Sequence, residues 1–257
     1  MTAVLVHGNP ETTAVWGPLR AALAERGVDD VVCVSPPGFG APVPPGWTAT
    51  YSEYAAWLVD EVATLAAEHG PVDLVGHDWG AGHVAGAVAA RPDLVHTWAI
   101  DCAGMLNPWY VWHGLAQVWQ TEGRGEQALA GWTAMGTDAL TTGFAGNGIP
   151  TEIAREMAEA FDQDTARCIL ALYRSAVQPA LTELADRLDA ALESGPPPGL
   201  LFDATEDAYV SSALVPSVAE RFGAHTCSLP GAGHWWLVNP QPVATAADAL
   251  TAWWSKA

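Results

Sequence analysis

The sequence predicts an α/β fold, a mostly parallel, doubly wound sheet with a helical insertion. Three observations carry this reading. Short continuous apolar runs, such as residues 3–6 and 31–34, have the length of buried strands. They alternate four times with longer stretches of helical character. From about residue 104 to 198 the alternation stops, helix formers dominate, and strands resume only afterwards.

The elements follow in order. The first strand, residues 3–6, ends at His7-Gly8-Asn9-Pro10. Residues 15–26 read as a helix closed by Gly27. The strand at 31–34 gives way to a Pro- and Gly-dense stretch from Pro36 to Gly46, which reads as an ordered loop. Ser52 begins a helix with Ala55, Leu58, Val62 and Leu65 on its apolar face, stopped by Gly70-Pro71. The apolar run of Val72, Leu74 and Val75 ends at Gly76, a helix spans 80–91, and residues 97–101 form the fourth strand. Helices are expected at 110–120, 151–160, 165–175 and 182–193, with Pro196-Pro197-Pro198-Gly199 closing the insertion like a hinge. Strands at 200–202 and 226–229 flank a helix at 213–222, and a last helix covers 242–254. The domain reading is a core of residues 1–103 and 199–257, with 104–198 as a helical cap over the carboxyl ends of the strands.

Composition narrows the function classes. The chain has 257 residues, half of them apolar, enough for one large domain with an insertion. Its formal charge is −19 and its one Lys is Lys256, so neither nucleic acid nor an anionic membrane surface is an expected partner. The Cys residues, 33, 102, 168 and 227, are scattered without a C-x-x-C pair, which fits free thiols in a reducing, cytoplasmic compartment. The N-terminus has no signal-peptide pattern and no apolar run has membrane-spanning length. Nothing has metal-ligand spacing, and neither a metal nor a cofactor is expected. Thirteen Trp suggest an aromatic pocket or interface. The oligomeric state is not legible.

The chemistry centres on Gly76-His77-Asp78-Trp79-Gly80, between a strand and a helix. This is the pattern of a nucleophile elbow, with Asp where Ser is usual. An Asp there is already an anion and can attack a saturated carbon, forming an ester. Other distinctive loops also follow strands, where ligands bind in open α/β sheets. They are His7-Gly8-Asn9-Pro10, Ala204-Thr205-Glu206-Asp207 and Gly231-Ala232-Gly233-His234. The order Asp78, Asp207, His234 is that of a nucleophile–acid–histidine triad.

On these motifs, together with Pro240 six residues after His234, the chain resembles the α/β-hydrolase superfamily of haloalkane dehalogenases and epoxide hydrolases over nearly its whole length. The resemblance implies an α/β-hydrolase fold with a cap, and a sheet shortened at its N-terminal edge because His7 comes so early. It implies that Asp78 forms an alkyl ester and that His234, oriented by Asp207, activates water to cleave it. Asp101 and Asp203 are the rivals for the acid. The backbone N–H groups of Asn9 and Trp79 would hold the oxyanion. Their side chains match the pair that binds halide in haloalkane dehalogenases, which points to small apolar halogenated substrates and water as the partners. Tyr173, followed by Arg174, resembles a cap tyrosine of epoxide hydrolases, so hydrolysis of epoxides to vicinal diols is the alternative. Tyr110 is the candidate for the second hydroxyl there, since Val118, beside Trp119, stands where that tyrosine is expected. His77 and Trp119 are placed on the pocket wall; His83, His113 and His225 are read as structural or exposed. A non-catalytic small-molecule binder on the same scaffold is the remaining reading.

Overall fold

The structure, a computed structural model, describes residues 2–256 apart from Ser194 and Pro196. Pro196 of the expected hinge therefore lies outside the described residues. Six strands form one sheet: β1 (Ala3–Val6), β2 (Val31–Val34), β3 (Val72–Gly76), β4 (Val95–Ile100), β5 (Gly199–Ala204) and β6 (His225–Leu229). Every pairing is parallel, in the order β2-β1-β3-β4-β5-β6. All six overlap the strands expected from the sequence, with bounds differing by up to two residues. β1 and β3 are buried throughout, as strands covered on both faces must be.

The order of strands fixes the layers. The chain steps from β1 outward to β2, then returns and runs the other way to β6. Right-handed crossovers in opposite directions lie on opposite faces. Accordingly α1 (Gly17–Ala24) packs with the last helix, α11 (Pro240–Trp254), on one face. On the other, α2 (Tyr51–His69) packs against α3 (Trp79–Ala90). The change of direction between β1 and β3 opens a crevice at their carboxyl ends, where ligands of such sheets bind. β1 and β3 pair directly, with Val6 opposite Gly76, so the loops that follow them are neighbours.

Between β4 and β5 the described residues form six α-helices: α4 (Gly114–Gln120), α5 (Arg124–Met135), α6 (Thr137–Ala145), α7 (Thr151–Ala160), α8 (Gln163–Ser175) and α9 (Ala180–Leu192). α5 and α6 have no counterpart in the sequence reading. Gly131, Gly136 and Gly143 lower the helical propensity of that stretch, and Gly136 separates the two helices with φ of 76°. The expected helix at 110–120 starts only at Gly114, capped by His113. α9 packs against α3 and against α10 (Val215–Phe222), so it lies in the helical layer of the sheet, although the sequence boundary puts it in the cap. Among the described residues no helix is long and apolar enough to cross a membrane.

The β3–α3 turn is tight because α3 starts directly against β1. A Cβ on Gly80 would stand 2.0 Å from the Val6 carbonyl oxygen, a backbone atom that cannot swing away. Gly131 is the contrast, a mid-helix position in α5 with open space around it. Urea unfolding should therefore separate two Gly→Ala changes in sign. Gly80→Ala should cost about 3 kcal/mol or more through forced backbone movement. Gly131→Ala should stabilise by about 0.5–1 kcal/mol through helix propensity.

Candidate active site

Asp78 sits at the junction of β3 and α3 with φ 53° and ψ −124°. A non-glycine residue rarely adopts this conformation, and holding it costs of order 1–3 kcal/mol. The turn places the carboxylate over the carboxyl end of β1. Its Oδ1 accepts the Asn9 backbone N–H at 3.0 Å. Gly8 makes this approach possible, since a Cβ there would stand 2.0 Å from Oδ1. The other oxygen, Oδ2, lies 3.5 Å from Nε2 of His234.

His234 follows β6 and is buried. Its Nδ1 donates to Asp207 Oδ2 at 2.8 Å. Asp207 Oδ1 accepts the backbone N–H groups of Tyr209 and Val210 at 2.7 and 3.0 Å. Burial opposes charge on the Asp207 carboxyl, but these bonds and the imidazole outweigh it and hold it down at about 2. Burial also works against the charged form of His234. The bonds to Asp207 and Asp78 prevail, and the ring is raised to about 10. Asp78, His234 and Asp207 thus stand in one hydrogen-bonding sequence.

The two rival acids point elsewhere. Asp203 lies in β5 and lines a surface groove with α10 and β6. Asp101, just past β4, accepts the Asp78 backbone N–H at 3.0 Å and the Trp236 indole at 2.6 Å. It also pairs with His77 Nδ1 at 2.5 Å.

His77 is the main correction. It is not on the pocket wall but wholly buried beneath the elbow, with Asp101 on one nitrogen and Glu11 on the other at 3.1 Å. Burial disfavours the charged ring, yet the two carboxylates raise it well above the ordinary histidine range. Glu11 also accepts the Gly8 N–H at 3.0 Å and the Trp235 indole at 2.8 Å. A carboxylate–imidazolium–carboxylate unit therefore grips Gly8 on one side and Asp78 on the other. Sequence reading missed Glu11; a carboxylate just after the His7-Gly8-Asn9-Pro10 loop, itself at the end of a buried strand, was the available signal.

A cavity of about 210 Å³ lies above Asp78, lined by core and insertion residues. Asn9, Asp78, Trp119, Trp132, Tyr173 and His234 line it, together with His113, Tyr209 and Trp235, which the sequence reading did not place there. Both polar atoms of the Asn9 side chain are buried without a hydrogen-bond partner among the described residues. Trp79 is not itself a lining residue, but its ring stacks on Trp112 at 5.7 Å and stands edge-on to Tyr173 of the wall at 5.3 Å. Tyr173 is buried, which raises its hydroxyl, and the Asp78 charge adds to this; the Asn9 amide and Trp79 indole stand near the hydroxyl and act the other way without forming a hydrogen bond to it. Tyr110 does not face the cavity: its hydroxyl donates to the Tyr209 carbonyl at 3.3 Å. Of the insertion's tryptophans, Trp109 is 82% exposed and does not line this cavity.

Cys102, Asp207 and His234 have donor atoms within 4.8 Å of one another, the one such grouping of metal-ligand types among the described residues. Ligand atoms around a tetrahedral ion stand roughly 3.4 Å apart. The 2.8 Å Asp207–His234 bond is shorter than that and fits a proton-holding pair rather than an ion.

Comparison with known proteins agrees with this architecture. A loop variant of the haloalkane dehalogenase DbeA from Bradyrhizobium elkanii superposes with a TM-score of 0.74 at 21% identity, covering 99% of this chain and 90% of that one. An E-2-(acetamidomethylene)succinate hydrolase superposes at 0.63, also 21% identical, covering 99% and 91%. At such identities the likeness is one of fold. No curated protein sequence matches the chain. The model of the alpha/beta hydrolase family matches residues 3–247, nearly the whole length, and the chain belongs to that family.

Proposed function

We propose that the protein hydrolyses small apolar halogenated compounds through an ester on Asp78. The observation that carries this reading is Asn9. An amide buried with no partner costs about 1–3 kcal/mol, and here it lines the cavity beside the nucleophile. A halide leaving the carbon under attack would take its N–H, with the Trp79 indole as second donor. The aromatic wall of Trp119, Trp132 and Phe144 suits the organic remainder.

The reaction balances in two steps. An oxygen of Asp78 bonds to carbon as the carbon–halogen bond breaks and halide leaves with the pair. Water then adds to the carboxyl carbon of the ester, the alcohol departs, and a proton is released. The backbone N–H of Asn9 already points at the carboxylate, and that of Trp79 would be the second oxyanion donor. In the free enzyme His234 is held protonated by two anions. Esterification removes the charge of Asp78, so the imidazole loses that support, its pKa falls, and it becomes a base when water must be activated.

Epoxide opening is the second reading, favoured by one observation. The Tyr173 hydroxyl stands on the cavity wall near Asn9 and Trp79, where it could protonate an epoxide oxygen.

Two sets of outcomes are expected, and a third would favour the second reading. With 1-bromobutane, Asp78→Asn should abolish halide release, while His234→Gln should release one equivalent and then stop, its intact mass raised by one butyl group. In the wild type, lowering the pH from 9 to 6 should slow the steady state and leave a burst of halide, because ester cleavage needs neutral His234; equal slowing of burst and steady state would contradict the two-step scheme. With styrene oxide, diol formation lost in Tyr173→Phe, and no halide from any bromoalkane, would establish the epoxide reading instead.

A further inference from the structure

His113 is a cavity residue whose chemistry the proposed reaction leaves unused. It caps α4, and its Nδ1 accepts the Ala116 backbone N–H at 3.2 Å. A nitrogen that accepts cannot carry the proton, so in the neutral ring the hydrogen is on Nε2. Burial favours that neutral ring, since it lowers the pKa of His113. The ring is fixed edge-on against Tyr209 at 4.8 Å and against Tyr173 at 6.3 Å. Tyr209 in turn packs on His234 at 4.7 Å. No hydrogen-bond partner takes up Nε2 among the described residues, and His113 lines the cavity that holds Asp78.

The cavity wall is therefore divided by chemistry. Leu115, Trp119, Trp132 and Phe144 are apolar surface. His113, Tyr173 and Tyr209 form a contiguous polar face, and only His113 has its donor direction set by the backbone. A donor fixed in this way is pre-organised: it loses little freedom on binding, and it penalises a ligand that leaves it unpaired.

We propose that His113 is a specificity-determining residue whose Nε2–H binds an uncharged oxygen acceptor, a carbonyl, ether or hydroxyl, on the substrate; this narrows the proposed class, so that small, otherwise apolar halogenated compounds carrying one such oxygen are preferred over plain hydrocarbon halides. This deepens the proposed reaction and rests on it for the word substrate; the binding preference stands on the cavity alone. Asp78 and the halide-binding pair handle the reacting carbon, while His113 reads a second point on the same molecule.

The test uses two unreactive ligands of nearly equal shape, acetophenone and ethylbenzene, which differ by a carbonyl in place of a methylene. Binding to the purified full chain is followed by quenching of tryptophan fluorescence. The wild type should prefer acetophenone by about tenfold, the discrimination expected of one good neutral hydrogen bond. His113→Ser keeps an oxygen to cap α4 but cannot reach the cavity, and the preference should fall to within about twofold. His113→Asn is the second variant, and thermal melting of both shows that the fold is kept. Nitrogen-15 NMR of the wild type gives a measurement free of mutation: the Nε2–H signal of His113 should move with acetophenone and not with ethylbenzene. Equal affinities in the wild type, an unmoved Nε2–H signal, or a preference that survives in His113→Ser would each overturn the assignment. If halide and diol assays are silent but the preference and its loss in His113→Ser are found, the reaction fails and the donor site stands. Turnover without any preference between the two ligands would mean the reverse: the reaction stands and the donor site fails.

Discussion

The ion unit of Glu11, His77 and Asp101 holds the site together. Its three side chains are almost wholly withdrawn from water. Such a group is expensive to bury unless every donor and acceptor is matched. Here each carboxylate also takes an indole N–H and a backbone N–H. Those two backbone groups belong to Gly8 and Asp78, the residues where the loops after β1 and β3 must approach closely. The unit thus clamps two loops, one of which carries Asp78 in an unfavourable backbone conformation. Losing one carboxylate would leave an imidazolium underneath the site with half its support.

His77 and His234, with ring centres 4.9 Å apart, show how environment divides the work of two identical side chains. His77 has both nitrogens committed to buried carboxylates and has no access to the cavity. His234 has one nitrogen committed to Asp207 and the other facing Asp78 across the cavity floor. The charge on His77 also opposes charge on His234. A fixed cation below and a changeable one above suits the proposed reaction, in which Asp78 is an anion in one step and a neutral ester in the next.

Much of this was legible in the sequence, for identifiable reasons. β1 and β2 are continuous apolar runs and read directly as strands, whereas β6, at the sheet edge, is largely polar and exposed. Asp78, Asp207 and His234 were legible because each follows a strand in a Gly- or Asp-marked loop, and the structure brings them together. His77 was misread because a histidine beside a nucleophile looks alike from sequence whether it faces up or down; the strained turn sends Asp78 upward and its neighbour into the core. Tyr110 was misread because the insertion has no strand register to orient side chains. His113 and Tyr209 were missed for the same reason: they meet across the boundary between insertion and core. α5 and α6 escaped notice because packing, rather than propensity, holds their glycine-bearing segments in helices.

The position of α9 bears on how this fold diversifies. The helix ends the insertion in sequence but lies against α3 and α10, within the layer that covers the sheet. The part of the chain that supplies the pocket's upper wall is therefore shorter than the helical interval between β4 and β5. A chimaera that replaced that whole interval would strip the sheet of a covering helix and remove Leu181, Leu184 and Leu188, all buried here, from the core they fill. One that ended its graft in the loop before Ala180 would change the walls of the cavity and leave the roof of the sheet in place. The modular unit for recombining specificity is set by what each helix packs against, not by where the strands stop and start.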